Sequence, residues 1–368
     1  MKKLIRICDM WMSTMGLKEV IIKKSKWDAK KNTAGLDAES ITPKDDAYHG
    51  SFNLLDIEWW YFDAIFENGY SIHVGVRTFH TNHHGVVKLR IEIYKEGKIL
   101  VEALKSDLFE RFLFSPETPL VKYGNDLLMG FDTEYYQKTG KWRYHVSMNI
   151  KNQAVDLTFN GLAEGWKFET PDNSWVVVFP TAHVTGTLTV DGQVMQVQGV
   201  GYHDHNWDYS IATAVKNWGW FWGRITGESF NLIWAKTMRT LDDSTLLAVI
   251  SPTHGALEDG KGFISIQQDA ITLTPKQYMY SHHRCIPTHL ELSINENKSI
   301  QDKPVQASLL MELIDVQHSR IFTAHYWRYH MKTSGTITVG SKTETFVDSS
   351  QIIEFLLFKR QKKMPQIK

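Results

Sequence analysis

From residue 53 onward the chain alternates apolar and polar side chains with period two. Leu89, Ile91 and Ile93 alternate with Lys88, Arg90 and Glu92, and the pattern recurs at Ile72, Val74 and Val76, at Val155, Leu157 and Phe159, and from His289 to Ile294. Successive side chains of an extended strand point to opposite faces, so this alternation predicts strands with one buried face. Turn signals such as Glu67-Asn68-Gly69, Glu96-Gly97 and Asp191-Gly192 separate the runs at short intervals, and helical periodicity is scarce. The expected fold class is all-β, built of antiparallel barrels or sandwiches.

An internal echo sets the domain organisation. Thr185-Gly186-Thr187-Leu188-Thr189-Val190-Asp191-Gly192 is repeated as Ser334-Gly335-Thr336-Ile337-Thr338-Val339-Gly340-Ser341, at an offset of 149 residues. A length of 368 residues suits two medium domains. The expected division is an N-terminal arm at 1–47, a first domain at 48–209 and a second at 210–362, the two meeting near residues 208–225. At the same offset Tyr202 falls on Gln351, Asp204 on Ile353 and Asn206 on Phe355. On that correspondence only the first half carries chemistry.

The densest polar stretch is Gly199-Val200-Gly201-Tyr202-His203-Asp204-His205-Asn206-Trp207-Asp208. As a strand it places Tyr202, Asp204 and Asn206 on one face and His203, His205 and Trp207 on the other. A polar strand end that satisfies a turn is the plain alternative. Two aromatic clusters accompany it: Glu58-Trp59-Trp60-Tyr61-Phe62-Asp63, and Trp218, Trp220 and Trp222 at i, i+2 and i+4. Any single Trp is best read as core. As a set beside an acid-bearing strand they suit the wall of a cavity for a long apolar ligand or a carbocation. Trp60, Tyr202, Asp204 and at least one of the three later tryptophans are expected to line it.

Composition narrows the partners. Lys plus Arg and Asp plus Glu both number 41, so the net charge is zero and no nucleic-acid footprint is expected. Two cysteines, Cys8 and Cys285, make no disulfide framework and fit a reducing compartment. Gly223-Arg224 and Asp259-Gly260-Lys261-Gly262 do not form a phosphate cradle, so no nucleotide cofactor is expected. His203-x-His205, His83-His84 and His282-His283 imitate metal ligands, but no remote partner is evident, and no metal is expected. Residues 1–17 read as a frayed arm rather than a signal peptide or anchor, and 18–47 as a linker or wrapping extension. The basic tail from Lys359 to Lys368 reads as a solvated end, with contact to anionic membrane headgroups as the alternative. The expected location is cytoplasmic, with peripheral association at the inner face of a membrane.

Three stretches, Glu58-Trp59-Trp60-Tyr61, Gly201-Tyr202-His203-Asp204-His205-Asn206-Trp207 and Trp220-Phe221-Trp222-Gly223-Arg224, resemble the signatures of the carotenoid 1,2-hydratase (hydroxyneurosporene synthase) and AttH-like group, to which certain fungal Diels–Alderases are also similar. The resemblance spans roughly residues 48–360. It implies two calycin-like, lipocalin-related antiparallel β-barrel domains in tandem, with the ligand site near their junction. Asp208 stands where the group often has Gly, and Trp175 and His183 are the candidates for its essential upstream Trp and His.

Hydration of an isolated alkene needs a strong proton donor, surroundings that tolerate a tertiary cation, and one water. Asp204 is the candidate acid, since burial raises a carboxyl pKa. Tyr202 is placed to hydrogen-bond that carboxyl or orient the water, and His203 or His205 to relay protons. Glu58, Trp59, Trp60, Trp175, His183, Asn206, Trp207, Trp218, Trp220 and Trp222 are the candidate substrate-binding residues. The expected substrate is a long isoprenoid, either a carotenoid or a polyprenyl lipid. A cyclase or pericyclase, or a non-catalytic lipocalin-like carrier, would use the same cavity without adding water.

Overall fold

The structure is a computed structural model describing residues 37–50, 55–82, 84–170, 173–240, 243–300, 303–321 and 324–359. The N-terminal 36 residues, the basic tail beyond 359 and Cys8, on which several expectations fell, lie outside the described residues.

Thirteen strands form the first sheet: β1 Glu39–Ser40, β2 Asp56–Phe66, β3 Tyr70–Thr81, β4 His84–Lys95, β5 Lys98–Leu108, β6 Phe112–Phe114, β7 Leu120–Tyr123, β8 Asp126–Phe131, β9 Arg143–Ile150, β10 Gln153–Gly161, β11 Trp166–Thr170, β12 Asn173–Val190 and β13 Gln193–Ser210. Their order is β5-β4-β3-β2-β13-β12-β10-β9-β8-β7-β6, with β11 on β12 and β1 on β11, antiparallel throughout. Nine strands form the second: β14 Gly219–Thr226, β15 Phe230–Met238, β16 Ser244–Pro252, β17 Ile264–Ile266, β18 Ile271–Ser281, β19 Arg284–Ile300, β20 Lys303–Ile321, β21 Ala324–Val339 and β22 Lys342–Leu357, ordered β17-β16-β15-β14-β22-β21-β20-β19-β18. The first sheet curls into a nearly closed barrel and the second into a half-barrel, as the period-two pattern and the echo led us to expect. Two short helices interrupt the strands, α1 Thr133–Thr139 and α2 Ile211–Lys216, the latter capped by Ser210 and connecting the sheets. Among the described residues no helix is long and apolar enough to cross a membrane.

Each barrel fills with one face of its strands. Trp60, Phe62, Ala64 and Phe66 of β2 meet Ile72, Val74 and Val76 of β3 and Leu89, Ile91 and Ile93 of β4. Phe221 and Ile225 of β14 meet Trp327, Tyr329 and Met331 of β21 and Ile353, Phe355 and Leu357 of β22. Each such side chain stabilises the fold by roughly 1.5–3 kcal/mol when taken out of water. The opposite faces of β2, β13, β14, β21 and β22 are buried too, because the two sheets pack there with Tyr61, Asp63, Tyr202, Arg224, Arg328 and Glu354 between them.

The echo is a real structural repeat. Gly186 and Gly335 occupy the same place in the β12–β13 and β21–β22 hairpins, facing Val197 and Phe346. Both have positive φ, +146° and +135°, and a Cβ would fall 2.1 Å from the Asp156 carbonyl oxygen or 2.0 Å from that of Ser308. Beyond this point the copies diverge by one residue: the register of β21–β22 shifts between Thr333 and Gly335, and Asp348 sits at φ +49°. A one-residue bulge turns the following side chains to the other face. The counterpart of Asp204 by face is therefore Glu354, which stands opposite Trp222 as Asp204 stands opposite Tyr61. This corrects the fixed-offset match of Ile353 to Asp204 and places Glu354 of the second half at the corresponding position.

Candidate functional site

Strand β13 carries two separate polar groups, one on each face. Toward the layer between the sheets, Tyr202 Oη donates to Asp204 Oδ2 at 2.8 Å, the Trp175 indole donates to the same oxygen at 3.1 Å, and Asn206 Nδ2 lies 3.4 Å from Oδ1. Asp204 is only 6% exposed. Burial raises its pKa to about 7, against the lowering effect of the Tyr202 and Trp175 hydrogen bonds and with a further push from the carboxylates of Glu354 and Asp63. A carboxyl near pKa 7 is an acid and a base in comparable amounts at neutral pH.

The other face points into the first barrel. His203 Nδ1 meets the Tyr61 carbonyl at 2.9 Å and Nε2 meets Asp46 at 3.0 Å, with the ring stacked 3.8 Å from Phe62. His205 lies between Glu58 at 2.9 Å and Asp46 at 3.2 Å, stacked on Trp60. Burial works against a charged imidazole here, but the two carboxylates outweigh it and raise His205 to about 9. Burial likewise opposes charge on Asp46, yet His203 and His205 hold its pKa well below the usual carboxylate range. Tyr144 also donates to Asp46. Asp46 ends a short 3-10 turn, Pro43–Asp46, in the segment read as an arm or linker, and nothing in the local pattern marked it as central.

His49 completes this interior group: its Nδ1 is 3.4 Å from Glu58 Oε1 and its ring stacks 3.7 Å from Trp207. The ligand atoms of His49, Glu58 and His205 lie within 4.8 Å of one another, and Glu58 Oε2 is buried without a hydrogen-bond partner. Two imidazoles and a carboxylate are a donor set for a divalent ion. His205 could join it only by giving up the proton that its two carboxylates retain. His49 and Glu58 are the remote partners that the His203-x-His205 spacing did not reveal.

Across the layer, equivalent positions of the two domains meet. In register, Trp59, Tyr61 and Asp63 of β2 correspond to Trp220, Trp222 and Arg224 of β14. Trp59 stacks on Trp220 with centroids 6.0 Å apart, Tyr61 packs edge-on against Trp222 at 5.7 Å, and Arg224 pairs with Asp63 at 2.6 Å. Arg328 bonds Glu354 at 2.8 Å and Tyr61 Oη, and lies 3.8 Å from Asp63. Beside this network is a cavity of about 130 Å³ lined by Trp59, Trp60, Tyr61, His73, Arg77 and Tyr326, among others.

No protein-family model matches the chain, and no curated protein matches its sequence. Solved structures do match. A protein of Nitrosomonas europaea described as AttH aligns with a TM-score of 0.59 at 13% identity, over 87% of this chain and 97% of that one. CghA bound to Sch210972 gives 0.57 at 12% identity, over 88% and 98%. Kievitone hydratase from Nectria haematococca gives 0.54 at 14%, over 86% and 93%. The fold is of the AttH type. At these identities the likeness is one of fold, and it meets the resemblance read from the three motifs at that level.

Within this AttH-type fold the candidate residues part company. Tyr202, Asp204, Asn206 and Trp175 form one cluster, with Trp222 packed on Tyr202 at 5.2 Å. His203, Glu58, Trp60 and Trp207 belong to the barrel interior instead. His203 therefore cannot relay protons to Asp204: the alternation that brings Asp204 to the layer turns His203 away from it. His183 is exposed outside the first barrel, since Ala182 and Val184 take the inward positions. The three later tryptophans do not form one wall. The strand begins only at Gly219, so Trp218 packs against the second core, whereas Trp220 and Trp222 face the layer. Trp60 is among the residues lining the cavity; Tyr202, Asp204, Trp220 and Trp222 are not in its wall, although the neighbours across the strand from Asn206 and Asp204, Trp59 and Tyr61, are.

Proposed function

We propose that this protein is a cofactor-independent hydratase that adds water across a trisubstituted double bond of a long isoprenoid chain, a carotenoid or a polyprenyl lipid. The observation that carries this reading is the Asp204 carboxyl, buried, poised near pKa 7 and held by Tyr202 and Trp175. Tyr202 and Trp175 both bind Oδ2, so Oδ1, met by the Asn206 amide at 3.4 Å, is the oxygen to carry and deliver the proton. Protonation of the less substituted alkene carbon would form a tertiary cation beside the Tyr61, Tyr202 and Trp222 rings, each aromatic face contributing about 0.5–2 kcal/mol. Water then bonds to the cationic carbon, and its surplus proton returns to the Asp204 carboxylate. The two hydrogen bonds stabilise that carboxylate and so make the acid stronger than burial alone would. The name of one structural neighbour, kievitone hydratase, is consistent with water addition on this fold. A substrate of this kind is drawn from a bilayer, in keeping with a cytoplasmic protein that docks on the membrane.

The second reading is a cyclisation without added water. It is favoured by the cavity wall, which presents Tyr326 and Arg77 as donors to a carbonyl, rather than Asp204. Incubating the protein with a panel of isoprenoid lipids in ¹⁸O-labelled water separates the two by mass. Gain of one labelled water supports hydration; a rearranged product of unchanged mass supports cyclisation and overturns the hydratase.

A further inference from the structure

The cavity wall is more basic than a neutral chain leads one to expect. Arg77, Lys88, Arg90, Lys105 and Arg320 all line it, and among the described residues no Asp or Glu does. Arg77 and Lys88 stand directly opposite each other on β3 and β4, and Arg90 follows on the same face as Lys88. Like charges paired across strands destabilise a sheet. Among the described residues Arg77 makes no hydrogen bond and no ion pair, and its guanidinium lies 5.2 Å over the Trp59 ring. Burial first, and then the Arg90 charge, lower its pKa to about 10, so it stays cationic at neutral pH. Arg90 is bridged by the Glu92 carboxylate at 2.8 Å.

We infer that this cavity binds the anionic head of an amphiphile, a carboxylate or phosphate whose apolar chain runs out along the aromatic layer. The proposal rests on the isoprenoid-hydratase reading for the identity of the chain and adds the charge of the head. Both domains contribute, Arg77 and Lys88 from the first sheet and Arg320 from the second. The apolar part of the wall, Trp59, Phe79 and Ile321, suits the first carbons of the chain. Pockets that enclose a whole ligand run roughly 300–1,000 Å³. At about 130 Å³ this one holds a head group and leaves the chain outside.

The test compares retinoic acid with retinol, a polyene acid and its alcohol, by quenching of tryptophan fluorescence at low salt. Charge-assisted hydrogen bonds should favour the acid by roughly tenfold or more, and the preference should shrink as salt rises. Arg77→Met should remove most of it. So should Arg320→Met, whose exposed position makes misfolding an unconvincing explanation. Equal binding of acid and alcohol, or an unchanged preference in both variants, would overturn the inference. Displacement of retinoic acid by an equal concentration of inorganic phosphate would overturn its amphiphilic part and leave a free-anion site. The two readings fail separately. A preference for retinoic acid with no labelled-water uptake by any acidic or phosphorylated isoprenoid ends the hydratase and keeps the head-group site; uptake by neutral lipids without that preference does the reverse.

Discussion

Asp63 and Arg224 hold corresponding positions in the two β domains and pair with each other, Nη2 to Oδ1 at 2.6 Å, both fully buried. Equivalent strands thus present opposite charges at the same station, and Trp59–Trp220 and Tyr61–Trp222 repeat the relation with aromatic rings. The pairing fixes how one sheet sits on the other. It also surrounds Asp204 with groups supplied by both domains.

Removing one partner of a buried pair strands the other charge. Arg224→Met is expected to cost about 3 kcal/mol in urea unfolding, the lower end of the usual range, because Arg328 remains 3.8 Å from Asp63. The double variant Asp63→Leu with Arg224→Met should recover most of that loss. A double variant as unstable as the two single ones summed would show that the pair acts through something other than mutual neutralisation.

The repeated glycines should behave alike. Gly186→Ala and Gly335→Ala each drive a methyl into a backbone oxygen at a positive φ, so each should destabilise by at least ~1–3 kcal/mol. Gly192→Ala, at φ +81° in a turn with nothing within 4 Å of its Cβ, is the comparison and should lose less. Melting temperatures of the three variants measure this. A milder effect at Gly335 than at Gly192 would mean that the second hairpin is not under the same constraint.

Much of this was legible in the chain and some was not, for physical reasons. Period-two alternation showed the strands, and the same rule sorted Tyr202, Asp204 and Asn206 from His203, His205 and Trp207 correctly. What each face meets is tertiary information. Asp46 comes from an irregular turn and enters the barrel with no periodic signal. Arg328 and Glu354 lie in β21 and β22, where no local pattern singles them out, and their importance arises only when the first sheet covers them. The bulge at Asp348 is invisible to a fixed offset, since one extra residue reverses every later face.

Asp204 should also be visible in stability. Its folded pKa, about 7, lies above the unfolded value near 4, so the native state holds an extra proton between those limits and stability from this group falls as pH rises from 4 to 7. The cost is full above pH 7, at up to about 4 kcal/mol. Asp204→Asn keeps an oxygen for Tyr202 and Trp175 but never ionises. It should melt higher than the wild type at pH 8, with the gap closing toward pH 4. His205 contributes with the opposite state charged: its pKa is raised to about 9, so its stabilisation is complete below pH 6.5 and lost as pH rises through 9. An Asn variant less stable than the wild type at pH 8 would contradict the protonation assigned to Asp204.

His205 is assigned to ion pairing, charged between Asp46 and Glu58. Turnover should therefore survive exhaustive chelation. Activity lost to a chelator and restored by zinc or iron would instead make His49, Glu58 and His205 a metal centre.

The central claim is that Asp204 delivers the proton, and the most direct measurement is the rate of labelled-water incorporation by Asp204→Asn against the wild type at pH 6, with folding checked by melting. A positioned acid contributes about 10²–10⁴-fold, and a loss of at least that size is expected in a folded variant. Tyr202→Phe should lose less and move the alkaline limb of the wild-type profile, expected near pH 7, to higher pH, because the Tyr202 hydrogen bond holds the Asp204 pKa down. A folded Asp204→Asn protein that hydrates its substrate at close to the wild-type rate would contradict the account and place the proton donor elsewhere.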